Sequence, residues 1–130
     1  MAAHTLRKRE RLCSMKLTDR LFNGAGSHSA AAFPLRIVWM EKERDGQEAP
    51  VQILVSVSKR HFKRAVKRNR VKRQIREAYR LTKQPLYDKL EQDSQRVIVM
   101  AFIWLADSLY SSAEVVNRME RLIQRITEKL

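Results

Sequence analysis

The sequence predicts one α+β domain, with helices packed on a sheet, on three observations. Segments rich in β-branched and aromatic residues read as strands at Leu35 to Met40, Val51 to Val57 and Arg96 to Trp104. A helical segment from about Lys63 to Leu81, free of Gly and Pro, separates the second of these strands from the third. Near the C-terminus, Val115, Met119, Leu122 and Ile126 recur at helical spacing. At 130 residues, 44% hydrophobic and 32% charged, the chain suits a single domain over 1–130 rather than two cores.

Taken in order, the chain opens on a basic arm with Arg7, Lys8, Arg9 and Arg11, and no apolar segment follows as a secretory signal requires. Met15 to Phe22 is a short helix, stopped by Asn23, Gly24 and Gly26. The stretch from there to Pro34 is small and polar and reads as a linker. The first two strands bracket a polar segment carrying Glu41, Glu43 and Glu48, interrupted by Gly46 and closed by Pro50. That is the pattern of a hairpin loop, so these strands are expected to form an antiparallel pair.

The long helix ends at Pro85, which cannot continue it. Val97 to Ala106 is ten apolar residues, right for a buried strand and short of the roughly 18 that span a bilayer. Ser111 stands three residues before Glu114, the spacing of a capping box, and the apolar stripe behind it packs on the sheet. With neither span nor signal, the expected location is the cytoplasm and no membrane partner is expected.

Conventional catalytic parts are missing. Cys13 is alone, so no intramolecular disulfide forms, and His4, His28 and His61 are scattered away from zinc spacing. No metal ligand set and no paired carboxylates stand out, so no catalytic residue is assigned and chemistry by the protein alone lacks its components.

Charge is the outlier. The chain carries 27 Lys and Arg against 14 Asp and Glu, a net +13 that calls for an anionic partner. Most of the excess lies between Lys59 and Arg80, where eleven of 22 residues are basic and only Glu77 is acidic. At 100° per residue Val71, Ile75, Ala78 and Tyr79 share one face, the width of a core-facing stripe. Asn69, Lys72, Arg73, Arg76 and Arg80 fall opposite. Like charges at i, i+4 repel by a few tenths of a kcal/mol per pair, and a merely solvated helix would mix its signs. Arginine suits bidentate contact with phosphate or base edges, and Asn69 can both donate and accept. A lipid-surface helix would carry larger apolar anchors on its other face. Charge alone does not separate DNA from RNA. Phe22 and Phe33, beside loops, offer stacking platforms for unpaired bases, whereas Trp39 on the first strand has core packing as its ordinary role.

The string Ser58-Lys59-Arg60, then Ala65, then Arg68-Asn69-Arg70-Val71-Lys72-Arg73-Gln74-Ile75-Arg76-Glu77 resembles the signature of the bacterial ribonuclease P protein subunit. Arg11-Leu12 in the basic arm, the helix ending at Phe22, the strand before the signature, Val97 to Ala101 after it and the terminal amphipathic helix extend the resemblance over nearly the whole chain. It implies an αβββαβα two-layer sandwich, with the signature helix joining parallel strands by a left-handed crossover. It also implies the accessory subunit of an endonuclease whose RNA removes the 5′ leader of precursor tRNA. In that family the protein binds the catalytic RNA and the single-stranded leader, and raises affinity for substrate and for Mg²⁺ held mainly by the RNA.

By motif position Arg68, Asn69, Arg70, Lys72, Arg73 and Arg76 would meet the catalytic RNA, continued by Arg80, with Lys59 and Arg60 at the adjoining end of the helix. A separate cleft between first helix and sheet would hold the leader, lined by Phe22, Phe33, Arg36 and Trp39. The expected partners are ribonuclease P RNA and precursor tRNA, not DNA. Three departures from the family pattern stand out: Thr18, where a second aromatic is frequent; Arg36, at an often aromatic strand position; and the stretch Phe102-Ile103-Trp104, where basic residues are usual. Charge and size also suit a structural RNA-binding protein of ribosomal type, which remains the alternative.

Overall fold

The computed structural model describes residues 15–23, 26–43, 49–91 and 96–130. His4, the basic arm with Arg11-Leu12, Cys13, Gly24, Gly46 and Glu48 lie outside them, as does the side chain of Thr18. The elements are α1 (Met15–Asn23), β1 (His28–Ala32), β2 (Leu35–Glu43), β3 (Val51–Ser56), α2 (Ala65–Thr82), α3 (Gln84–Leu90), β4 (Arg96–Trp104) and α4 (Ser112–Lys129). This is the expected α+β sandwich, with one short helix, α3, beyond the anticipated order.

The four strands lie in the order β1-β2-β4-β3. The expected antiparallel pairing of β2 with β3 is therefore wrong: β4 runs between them, antiparallel to β2 and parallel to β3. The reason is burial. β4 is apolar on both faces and almost wholly buried, so it takes a central place, while β3 alternates buried and half-buried positions as an edge strand does. Glu41 and Glu43, expected in a loop, extend β2, where Glu41 accepts from Arg96 at 3.0 Å.

The supposed linker before Pro34 is strand β1, paired with β2 from His28↔Trp39 to Ala32↔Leu35 around a turn at Phe33–Pro34, whose peptide is cis. Its Ala and Ser residues have little strand propensity of their own. They pair because small side chains fit beneath α4, whose Arg118 and Arg125 donate to the carbonyls of Phe33 (3.0 Å) and Ala31 (2.8 Å). Pro85, expected only to stop the long helix, sits in the first turn of α3, where a missing N–H costs nothing.

The main core lies between the sheet and α2 and α4. It gathers Leu35, Ile37, Trp39, Ile53 and Val55 with Val71, Ile75 and Tyr79 of α2 and Val115, Met119, Leu122 and Ile126 of α4. Tyr79 tilts against Phe102 at 5.6 Å, and Trp104 meets Tyr110 edge-on at 5.6 Å. A smaller cluster on the other face, Leu21 with Val38, Met40, Val97, Val99 and Ala101, seats α1.

The expected N-cap is formed, with Ser111 Oγ accepting the Glu114 N–H at 3.2 Å, but the return arm of a capping box is replaced by a side-chain bond: the Ser111 hydroxyl donates to the Glu114 carboxylate at 3.0 Å. Ser111→Ala is expected to cost about 1 kcal/mol, read as a shift in the urea midpoint with an unchanged slope.

Candidate nucleic-acid interface

Helix α2 buries Val71, Ile75, Ala78 and Tyr79, the face its periodicity predicts. Asn69, Arg70 and Arg73 are thereby turned out to solvent, with Lys72, Arg76 and Arg80 half-buried at the margins of the same surface. Among the described residues, the side chains of Arg70, Lys72 and Arg73 have no hydrogen-bond or ion-pair partner. Arg80 differs: it forms a fork with Glu77, its Nε donating at 3.0 Å. That contact holds the Glu77 carboxyl below the usual carboxylate range and raises the Arg80 guanidinium, both chiefly through the hydrogen bond.

Arg68 is also partly committed. Its guanidinium reaches back and donates to the carbonyls of Phe62 (2.9 Å) and Lys63 (2.8 Å), tying the helix to the turn before it. Lys59 and Arg60 are exposed in that turn, beside the N-terminal end of α2. The helix end has no side-chain cap and no acid in its first turn. Instead Lys63, Arg64, Lys67 and Arg68 surround it, against the helix dipole, which favours anions there by about 0.3–1 kcal/mol each.

On the opposite face of the sheet, a cavity of about 360 Å³ lies between α1 and the strands, lined by Leu21, Phe22, Ser27, Ser29, Arg36, Val38 and Ile103 among others. It brings together two of the four residues expected in a cleft. Phe22 is 45% exposed, and Arg36 is exposed with its Nε donating to Ser29 Oγ at 3.2 Å. Trp39 does not belong to this cleft. Strand alternation turns it into the main core, 2% exposed and stacked on His28 at 4.5 Å. Phe33, 58% exposed, projects from the β1–β2 turn and is not among the residues lining the cavity.

The register also explains the unusual Phe102-Ile103-Trp104 stretch. Phe102 and Trp104 extend the core, while Ile103 points to the cleft, opposite Arg36 on β2 and Ser56 on β3. Period-two alternation was the signal that assigns Ile103; Ser27 and Ser29 carried no comparable signal.

A larger groove of about 590 Å³ runs where the ends of α2 and α3 meet α4. Its walls include Glu120 and Glu128, which repel a polyanion. Among the described residues no group of three or more His, Cys, Asp or Glu gathers where a metal could be held, and no helix is long and apolar enough to cross a membrane.

A cationic helix on a small mixed sheet, with a half-polar cleft behind it, defines the class of small basic polyanion-binding proteins. The family model described as Ribonuclease P matches residues 6–127, so the chain belongs to the ribonuclease P protein family. It is 42% identical over 129 residues to the ribonuclease P protein component of Porphyromonas gingivalis, covering 96% of this chain and 88% of that one. It is 37% identical over 115 residues to the component of Chlorobaculum tepidum, covering 86% and 71%. The fold is similar to that of the RNase P protein of Staphylococcus aureus, with a TM-score of 0.62 at 19% identity over 90% of this chain and 94% of that one.

Proposed function

We propose that this chain is the accessory subunit of a ribonucleoprotein that removes the 5′ leader from precursor tRNA in the cytoplasm. It binds the catalytic RNA through α2 and the leader through the α1 cleft. The observation that carries the reading is the exposed face of α2, whose Arg70, Lys72 and Arg73 have no protein partner among the described residues. Arginine forks at helical spacing match a row of phosphates. Asn69 and the Lys59-Arg60 turn extend the contact toward the helix N-terminus.

In the cleft, the Phe22 ring gives one unpaired base a stacking surface. Arg36, oriented by Ser29, supplies a guanidinium for the backbone or a base edge. With Trp39 in the core, Phe22 is the one expected aromatic that lines this cavity, so the leader is held by one stacked base and by polar contacts.

The chemistry belongs to the RNA, and Mg²⁺ serves it there. Among the described residues no three carboxylate, His or Cys side chains gather where that ion could be held. Several carboxylates are also engaged singly: Asp107 with His61, Glu77 with Arg80, Glu41 with Arg96 and Glu114 with Ser111. The protein lowers the Mg²⁺ requirement by reducing the phosphate repulsion that the ion otherwise screens.

Reconstitution with a bacterial ribonuclease P RNA at low Mg²⁺ tests this. The expected result is faster 5′ leader removal than by the RNA alone, and no stimulation overturns the reading. Sequencing the RNA that copurifies separates the alternative: stoichiometric ribosomal RNA with no tRNA-processing RNA would assign a ribosomal role.

A further inference from the structure

We infer that Asp107 is a positioning residue for the RNA-facing cations, acting through His61; this rests on the RNA-binding reading above. Lys59, Arg60, Lys63 and Arg64 stand in the non-helical segment between β3 and α2. Cations on a loose segment lose conformational entropy when they engage a ligand, so their contribution depends on what fixes the backbone beneath them.

Part of that fixing is local. The N–H groups of His61 and Phe62 donate to the Ser58 carbonyl at 3.1 and 3.4 Å, the Arg60 N–H donates to Ser58 Oγ at 3.1 Å, and the Phe62 side chain is buried. One further bond reaches a distant part of the chain. His61 Nδ1 lies 2.6 Å from Oδ1 of Asp107, in the connection from β4 to α4. An ionised carboxylate only accepts, so the proton sits on Nδ1 and the imidazole donates.

The same connection is fastened a second time. Gln74, from the middle of α2, donates to the Tyr110 carbonyl at 3.0 Å and to Ser112 Oγ at 3.2 Å. Residues 105–112 thus form a brace that touches both the turn carrying Lys59 and Arg60 and the helix carrying Arg70 and Arg73. It sets the spacing of the two groups of cations. Asp107 is 81% exposed. A bare carboxylate beside a polyanion site is electrostatically adverse, so its value to the site lies in the bond it makes rather than in its charge.

The sign of one substitution separates the two effects. Loss of the Asp107 charge by itself would tighten binding to RNA. Loss of the brace weakens it. Full-length Asp107→Ala, Asp107→Asn, His61→Ala and the His61→Ala/Asp107→Ala double variant are titrated against bacterial ribonuclease P RNA by fluorescence anisotropy at fixed salt, with Arg73→Ala as control and circular dichroism to verify folding.

Asp107→Ala and His61→Ala are each expected to weaken binding about three- to tenfold, the range of one ordinary hydrogen bond. The double variant should be no weaker than either single one. Asp107→Asn, which removes the same charge but keeps an acceptor, should bind more tightly than Asp107→Ala. Unchanged or tighter binding by Asp107→Ala, or equal affinities for the Asn and Ala variants, overturns the brace while a weakened Arg73→Ala leaves the RNA-binding reading standing. Unchanged binding by Arg73→Ala overturns that reading itself.

Discussion

Replacing Arg70, Lys72, Arg73 and Arg76 together with alanine is expected to weaken binding to ribonuclease P RNA roughly 10²- to 10³-fold at 0.1 M salt. The parent, making about six phosphate contacts, should show log K falling with log salt at a slope of roughly −4 to −5, and the four-fold variant should lose about three of that. Titration of fluorescent RNA at several salt concentrations measures both quantities. The fold should survive. Arg70 and Arg73 are exposed, Lys72 and Arg76 only half-buried, alanine is the best helix former, and removing like charges relieves repulsion along the helix. A folded variant binding within threefold of the parent, with an unchanged slope, would move the RNA site elsewhere on the molecule.

The largest expected effect on stability is at Phe102. Its side chain is fully buried on the central strand and tilts against Tyr79, so it joins the sheet to the signature helix. Phe102→Ala is expected to cost about 3–5 kcal/mol through lost burial and the cavity left behind, against a total stability of roughly 5–15 kcal/mol for a domain. The melting temperature should fall by roughly 10–20 °C, followed by circular dichroism at 222 nm. Ile103→Ala, one residue on but half-buried on the cleft face, should cost clearly less. Equal losses at the two positions would contradict the assignment of the two faces.

The basic helix was legible because its two faces obey one local period. Val71, Ile75, Ala78 and Tyr79 must share a side whatever they pack against, and the arginines must then lie opposite. The terminal helix was legible for the same reason, down to the cap at Ser111. Trp39 was legible as a core residue from its type, and it is 2% exposed; the cleft position that the resemblance implied for it failed, because neighbouring strands decide which face of a strand meets the large helices. The brace was invisible, since His61 and Asp107 are 46 residues apart and nothing in either neighbourhood names the other.

The sequence by itself determined the strongly charged helix, its buried side, the terminal helix, three of the four strands and the family, because each is written in contiguous residues or in a helical repeat. Tertiary structure alone decided that β4 separates β2 from β3, that the Ala-rich stretch before Pro34 is a strand, that Phe22 and Arg36 share a cleft without Trp39, and that Asp107 reaches the turn before α2. Those outcomes depend on long-range competition for burial and for hydrogen-bond partners, and a chain read one segment at a time does not contain the competitors.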